Sequence, residues 1–130
     1  MNLQIHRGTS YSEIIPIQSM VDPQLLANAI FVMQFRKKTN GKKVLLELTS
    51  DNGGLICMPD MAALVISIAP EDTMNLKVNC LFYDCIAIIP SSFGPEVKFI
   101  MGGMAEIYDL ITRIPGISAP QETVTNNSGA

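Results

Sequence analysis

Apolar runs shaped like strands alternate with stretches of helical spacing along this chain. That order predicts an α/β domain: a mainly parallel sheet with flanking helices. Two stretches carry the expectation. Lys43-Val44-Leu45-Leu46-Glu47-Leu48 is nearly all apolar, as a strand buried on both faces is. Leu25, Leu26, Ala29, Ile30 and Met33 recur at the three- and four-residue intervals that give a helix one apolar face.

Taken in order, Ser12 to Ile17 is a short strand, and Pro16 places it at a sheet edge or ends it. Asp22-Pro23 is a strong helix start, because Asp caps free amides and Pro is preshaped for the first turn. This helix closes near Lys38, and Asn40-Gly41 turns the chain into the Lys43–Leu48 strand. Thr49-Ser50-Asp51-Asn52-Gly53-Gly54 follows as a loop with backbone freedom at its end. Pro59 then opens a second helix, apolar almost all round from Met61 to Ile68, which predicts burial on several sides or a subunit contact. Asn75 to Leu81 and Glu96 to Met101 read as further strands, with the short apolar run Ile86 to Ile89 between them. Residues 1–114 form one domain, and the polar, aperiodic stretch 115–130 is expected to be a disordered tail.

Composition narrows the function classes. The chain has 130 residues, 48% hydrophobic and 16% charged, with a net charge of -3. That is a core-forming composition without the electrostatic footprint of a nucleic-acid or anionic-membrane binder. The basic cluster Arg36-Lys37-Lys38 with Lys42-Lys43 reads as a solvated helix end. No apolar run has the length of a membrane helix, and the first residues lack a signal-peptide core, so a cytoplasmic location is expected. Cys57, Cys80 and Cys85 are odd in number and lack metal-ligand spacing, so no metal and no cofactor is expected.

The order of elements resembles the head domain of ClpP-type caseinolytic proteases and their crotonase-like relatives. Ser12-Glu13-Ile14-Ile15 through Val21-Asp22-Pro23-Gln24-Leu25-Leu26-Ala27-Asn28 resembles the family's first strand, turn and opening helix. Leu46-Glu47-Leu48-Thr49-Ser50-Asp51-Asn52-Gly53-Gly54 resembles its strand ending in Asn-Ser-Pro-Gly-Gly, and Val97-Lys98-Phe99-Ile100-Met101 its strand after the nucleophile helix. The likeness covers roughly residues 12 to 110 and implies a ClpP-like head without the family's handle helix.

The resemblance also implies lost catalysis. Where the family has its nucleophilic serine, this chain has Phe82-Tyr83-Asp84-Cys85, so Asp84, or Tyr83 on a one-residue slip, takes the place. The histidine position falls on Asp109, or on Tyr108 with the same slip, and the third triad member lies in a region the chain lacks. The only histidine, His6, precedes the first clear element and is expected on a mobile arm. Serine or cysteine nucleophiles take a histidine base within hydrogen-bond reach, so the chain reads as a catalytically silent relative. Gly53 and Gly54 are left as an oxyanion-hole-like pair or, on the plainer view, a tight turn.

The expected function is therefore that of an inactive ClpP-like subunit acting by association. Its partners would be further copies of itself or intact Clp protease subunits, with Met61, Leu64, Val65 and Ile68 as the interface. The compact form suits a phage-encoded chain. The alternatives are a small hydrolase or acyl-transfer enzyme using Asp84, the Cys85 thiol or Asp109, and a small-ligand binding module.

Overall fold

The computed structural model describes residues 1–17 and 23–112, and the protein it describes is built from strands. Eight lie among the described residues: β1 (Leu3–His6), β2 (Tyr11–Pro16), β3 (Ile30–Arg36), β4 (Leu46–Thr49), β5 (Leu55–Met58), β6 (Ala63–Ile68), β7 (Cys80–Ile89) and β8 (Glu96–Tyr108). The one α-helix described, α1 (Pro70–Met74), is five residues long. The α/β expectation is thus corrected. A five-stranded sheet in the order β1-β8-β7-β3-β4 faces a three-stranded sheet in the order β2-β6-β5. Among the described strands only β1 and β8 run parallel; every other pair is antiparallel.

Both expected helices fail for the same physical reason. Ile30-Phe31-Val32-Met33-Gln34-Phe35-Arg36 carries its large side chains at every second residue, and Phe31, Met33 and Phe35 are fully buried. Period two is the strand signature, and β-branched and aromatic residues suit it. Because Ile30 and Val32 make the other face apolar too, helical spacing could be picked out of the same letters. The run from Met61 to Ile68 behaves alike: Leu64, Ile66 and Ile68 point inward while Val65 and Ser67 point out. The expected helix starts survive only as short 3₁₀ turns, Pro23–Asn28 and Pro59–Met61.

The strands expected from sequence are displaced or extended. The Ser12–Ile17 strand corresponds to β2, which is an edge as Pro16 suggested. The Lys43–Leu48 strand shrinks to β4, an antiparallel edge rather than a buried parallel strand. The apolar run Ile86–Ile89 is the second half of β7, and β8 continues straight through Gly102-Gly103 to Tyr108. His6 is not on a loose arm; it ends β1, opposite Tyr108. The Asp22 cap and the expected 115–130 tail lie outside the described residues.

One core fills the space between the sheets. Phe31, Met33, Phe35, Leu81, Cys85, Ala87 and Ile107 come from the larger sheet, and Ile15, Leu55, Leu64, Ile66 and Ile68 from the smaller. Thr73 of α1 is the buried polar residue among those described, and its bonds are made. Its hydroxyl accepts from the Gly8 N–H at 3.0 Å and donates to the Thr9 carbonyl at 2.8 Å, pinning α1 to the β1–β2 turn. No helix among the described residues is long and apolar enough to cross a membrane.

Candidate functional site

Strand alternation decides where each expected site residue goes. On β7, Tyr83, Cys85 and Ala87 face the core, so Asp84 faces outward between them. Cys85 is fully buried, and burial, with the Asp84 carboxylate second, pushes its thiol up to about 12. A thiol held neutral that far up is no nucleophile at ordinary pH. Asp84 borders a shallow depression of about 100 Å³ with Gln34, Arg36 and Lys38, small for a substrate site.

Asp84 and Asp109 are not brought together. Asp84 pairs with Gly102 of β8, seven residues before Asp109, and at about 3.3 Å per residue that is roughly 23 Å along the ladder. Asp109 is exposed and ion-paired with Arg7 at 2.7 Å. His6 is at that same end, its ring 5.5 Å from the Tyr108 ring and far from both Asp84 and Cys85.

The double glycine is a turn in which the Gly54 amide is engaged by Asn52. Gly53 has φ of +81°, which an L side chain rarely adopts, and a Cβ on Gly54 would lie 2.7 Å from Leu48 Cδ2. Asn52 organises the loop: its Oδ1 accepts from the Thr49 and Gly54 amides, both at 2.9 Å, and its Nδ2 donates to the Glu47 carbonyl at 3.0 Å. The Gly54 amide is therefore committed to Asn52 rather than offered to a ligand.

The expected interface residues divide. Leu64 and Ile68 are core, Val65 is half-buried on the outer face of the smaller sheet, and Met61 is exposed in the 3₁₀ turn before β6. They do not form one surface.

The feature that does form a surface is on the outer face of the larger sheet. The register lines up Ile30, Ile88 and Val97 in one cross-strand row, and Val32, Ile86 and Phe99 in the next. Ile30 is 44% exposed, Val97 59% and Phe99 67%, and Phe93 in the β7–β8 tip is fully exposed. Side chains this apolar in two adjacent rows make a patch, not scattered surface residues.

Beside the patch lies an open strand edge. β1 pairs with β8 only from Ala105 to Tyr108, and Asn2 Oδ1 accepts the Met104 N–H at 3.3 Å. Over Glu96 to Met101, β8 is flanked among the described residues by β7 alone. A bulge lies in this stretch, where Cys85 pairs with Met101 but Ile86 with Phe99, leaving Ile100 as the extra residue. The bulge lets Ile100 and Met101 both turn inward, while Val97 and Phe99 stay outward. The sequence carried one signal for this surface, the alternation Glu96-Val97-Lys98-Phe99, but not which face it served.

A cavity of about 400 Å³ opens at the other end of the sheet, lined by Lys37, Lys43, Leu45, Leu76, Lys77 and Val78 among others. None of the positions expected to be catalytic touches it. Among the described residues, no group of three or more His, Cys, Asp or Glu could hold a metal ion. No known protein-family model matches the chain, and no curated protein matches it.

Proposed function

We propose that this protein is a non-catalytic association module that takes up a partner strand at the Glu96–Met101 edge of β8. The observation that carries the proposal is the coincidence of that open edge with the two apolar rows ending in Val97 and Phe99. Strand addition supplies main-chain hydrogen bonds from the edge, and alternate side chains of the incoming strand settle beside Val97 and Phe99. Apolar area leaves water at about 25 cal/mol per Å², so two half-exposed side chains gaining cross-strand neighbours are worth having. Work by association was also the sequence expectation; here it rests on a strand edge rather than on an apolar helix.

The hydrolase alternative draws no support from the geometry, since Asp84, Cys85, Asp109 and His6 are separated or buried. Ligand binding has one observation in its favour: three lysines, Lys37, Lys43 and Lys77, rim an apolar-floored cavity of ligand size.

The test of the association proposal is the Val97→Lys variant, which puts a charge in the middle of the edge row. Native mass and binding to any defined partner should both show an association that this variant abolishes while the fold is retained. An association indifferent to Val97→Lys would place the contact elsewhere and overturn the proposal.

A further inference from the structure

Building on that proposal, we infer that the strand received at the β8 edge is β8 of a second copy, paired antiparallel about a two-fold axis through Val97. Register selects this pairing. In an antiparallel pair, residues directly opposite share a face, and like charges opposite each other are destabilising. With the axis at Val97, Glu96 of each copy faces Lys98 of the other, twice over. Glu96 and Lys98 already project from one face of β8, where they form an ion pair at 3.5 Å. The neighbouring registers lack this match. An axis through Lys98 sets lysine against lysine, and a half-residue shift sets Glu96 against Phe99 and Val97 against Lys98.

The same register completes the apolar rows. Val97 meets Val97 of the second copy, so Ile30, Ile88 and Val97 continue into Val97, Ile88 and Ile30 as one six-residue row. Phe99 falls opposite Pro95, which lacks an N–H and suits a strand start. The tip carrying the fully exposed Phe93 is brought alongside the partner's strand beyond Phe99. A closed two-fold pairing also removes the open edge from both copies, so growth stops at two.

The edge charges can be read as protection against pairing, since charged residues commonly blunt strand edges. Protection is best served by one sign. Opposite signs two residues apart, centred on a valine, select one self-complementary register instead.

The experiment is a charge swap on the full chain with nothing added before Met1. β1 runs parallel to β8, so an N-terminal extension would run on toward the same edge. Sedimentation equilibrium of the wild type should show a reversible monomer–dimer equilibrium. Lys98→Glu and Glu96→Lys should each weaken it by about tenfold, because each sets like charges opposite one another at two symmetric places. The double variant should restore the wild-type constant to within about threefold, and circular dichroism of each variant verifies the fold.

A wild type that stays monomeric into the millimolar range overturns the self-pairing. So does a dimer that single charge reversals leave unchanged or that the double variant fails to rescue. If the wild type is monomeric yet binds another chain in a Val97-dependent way, the self-pairing fails and the strand-addition proposal stands. If a dimer forms that ignores both Val97→Lys and the charge swap, both fail together.

Discussion

The two ends of the five-stranded sheet manage their polar and apolar groups in opposite ways. At the end where β1 and β8 finish, Arg7 closes the structure on itself. Its Nε donates to the Leu76 carbonyl, its Nη2 to the Val78 carbonyl at 3.0 Å and Asn79 Oδ1 at 3.3 Å, and its Nη1 to Asp109 at 2.7 Å. One guanidinium thus ties β1 to the loop before β7 and to the residue after β8. At the end where β7 turns into β8, nothing comparable occurs among the described residues: β7 alone flanks β8 there over Glu96 to Met101, Val97 and Phe99 are more than half exposed, and Phe93 stands in water. The first end is self-satisfied and the second is incomplete. Substitutions at the two ends should therefore read out in different experiments, stability at one and association at the other.

The largest expected effect belongs to neither end and sets the scale for both. Leu64 was expected at an interface but is fully buried between the sheets. Leu64→Ala should lower unfolding free energy by about 3 kcal/mol, the usual range for a buried leucine truncation. Urea denaturation is the measurement. A loss of association without loss of stability would return Leu64 to a surface role.

Next in size is Arg7→Ala, which leaves the Leu76 and Val78 carbonyls without their charged donor. A loss of about 2 kcal/mol is expected in the same denaturation series. The dimer constant, corrected for the unfolded fraction, should not move. If Arg7→Ala weakened association as strongly as Lys98→Glu, the two ends would be coupled and the contrast between them would fail.

Alkaline pH probes the core between them. Burial raises Cys85 to about 12 from an ordinary thiol value of 9.0, and Tyr83 to about 12 from 10.0, with Cys85 and Glu13 adding to the Tyr83 shift. Both groups are neutral when protonated, and the unfolded chain loses these protons first. Their stabilising share is thus whole below about pH 9 and lost as pH climbs toward 12. Cys85→Ala should flatten the first part of that decline, although it costs stability at neutral pH. Unfolding curves at pH 7 and pH 10 for both proteins check the slope; parallel declines would remove Cys85 as a contributor.

How much of this was legible in the sequence follows from one ambiguity. Where polar residues interrupt an apolar run, a strand is visible: Ser12 to Ile17 reads as a short strand that Pro16 places at an edge or ends, and β2 is an edge strand, with Ser12 and Ile14 outward and Ile15 buried. Where both faces are apolar, period two disappears. Ile30 to Phe35 and Ala63 to Ile68 then offer hydrophobic residues at every spacing, and helical intervals can be selected from them. The same property that hid the strands makes the surface, because Ile30, Val32, Ile86 and Ile88 are the outward apolar residues that blurred the pattern. The functional expectations failed with the fold. Asp84 and Asp109 were adjacent only under a borrowed topology, whereas the true ladder sets them seven residues apart in register. The turn at Asn52-Gly53-Gly54 was legible as a turn, since its glycines answer to local dihedral and steric demands that no tertiary context reverses.

The smallest effect expected is also the sharpest check on the closed end. Asp109 is 80% exposed while its partner Arg7 is 13% exposed, so the carboxylate lies in water and the guanidinium does not. An ion pair with one partner so solvated contributes roughly 0.5 kcal/mol or less, and salt screens it. Arg7 keeps its two carbonyl acceptors when Asp109 is neutralised, so the tie between β1 and the loop before β7 should hold. Asp109→Asn should therefore shift the urea midpoint barely, and the shift should vanish in molar salt. A loss approaching that of Arg7→Ala would mean that the carboxylate orients the guanidinium and that the carbonyl bonds depend on it. The closed end would then owe its closure to a surface charge.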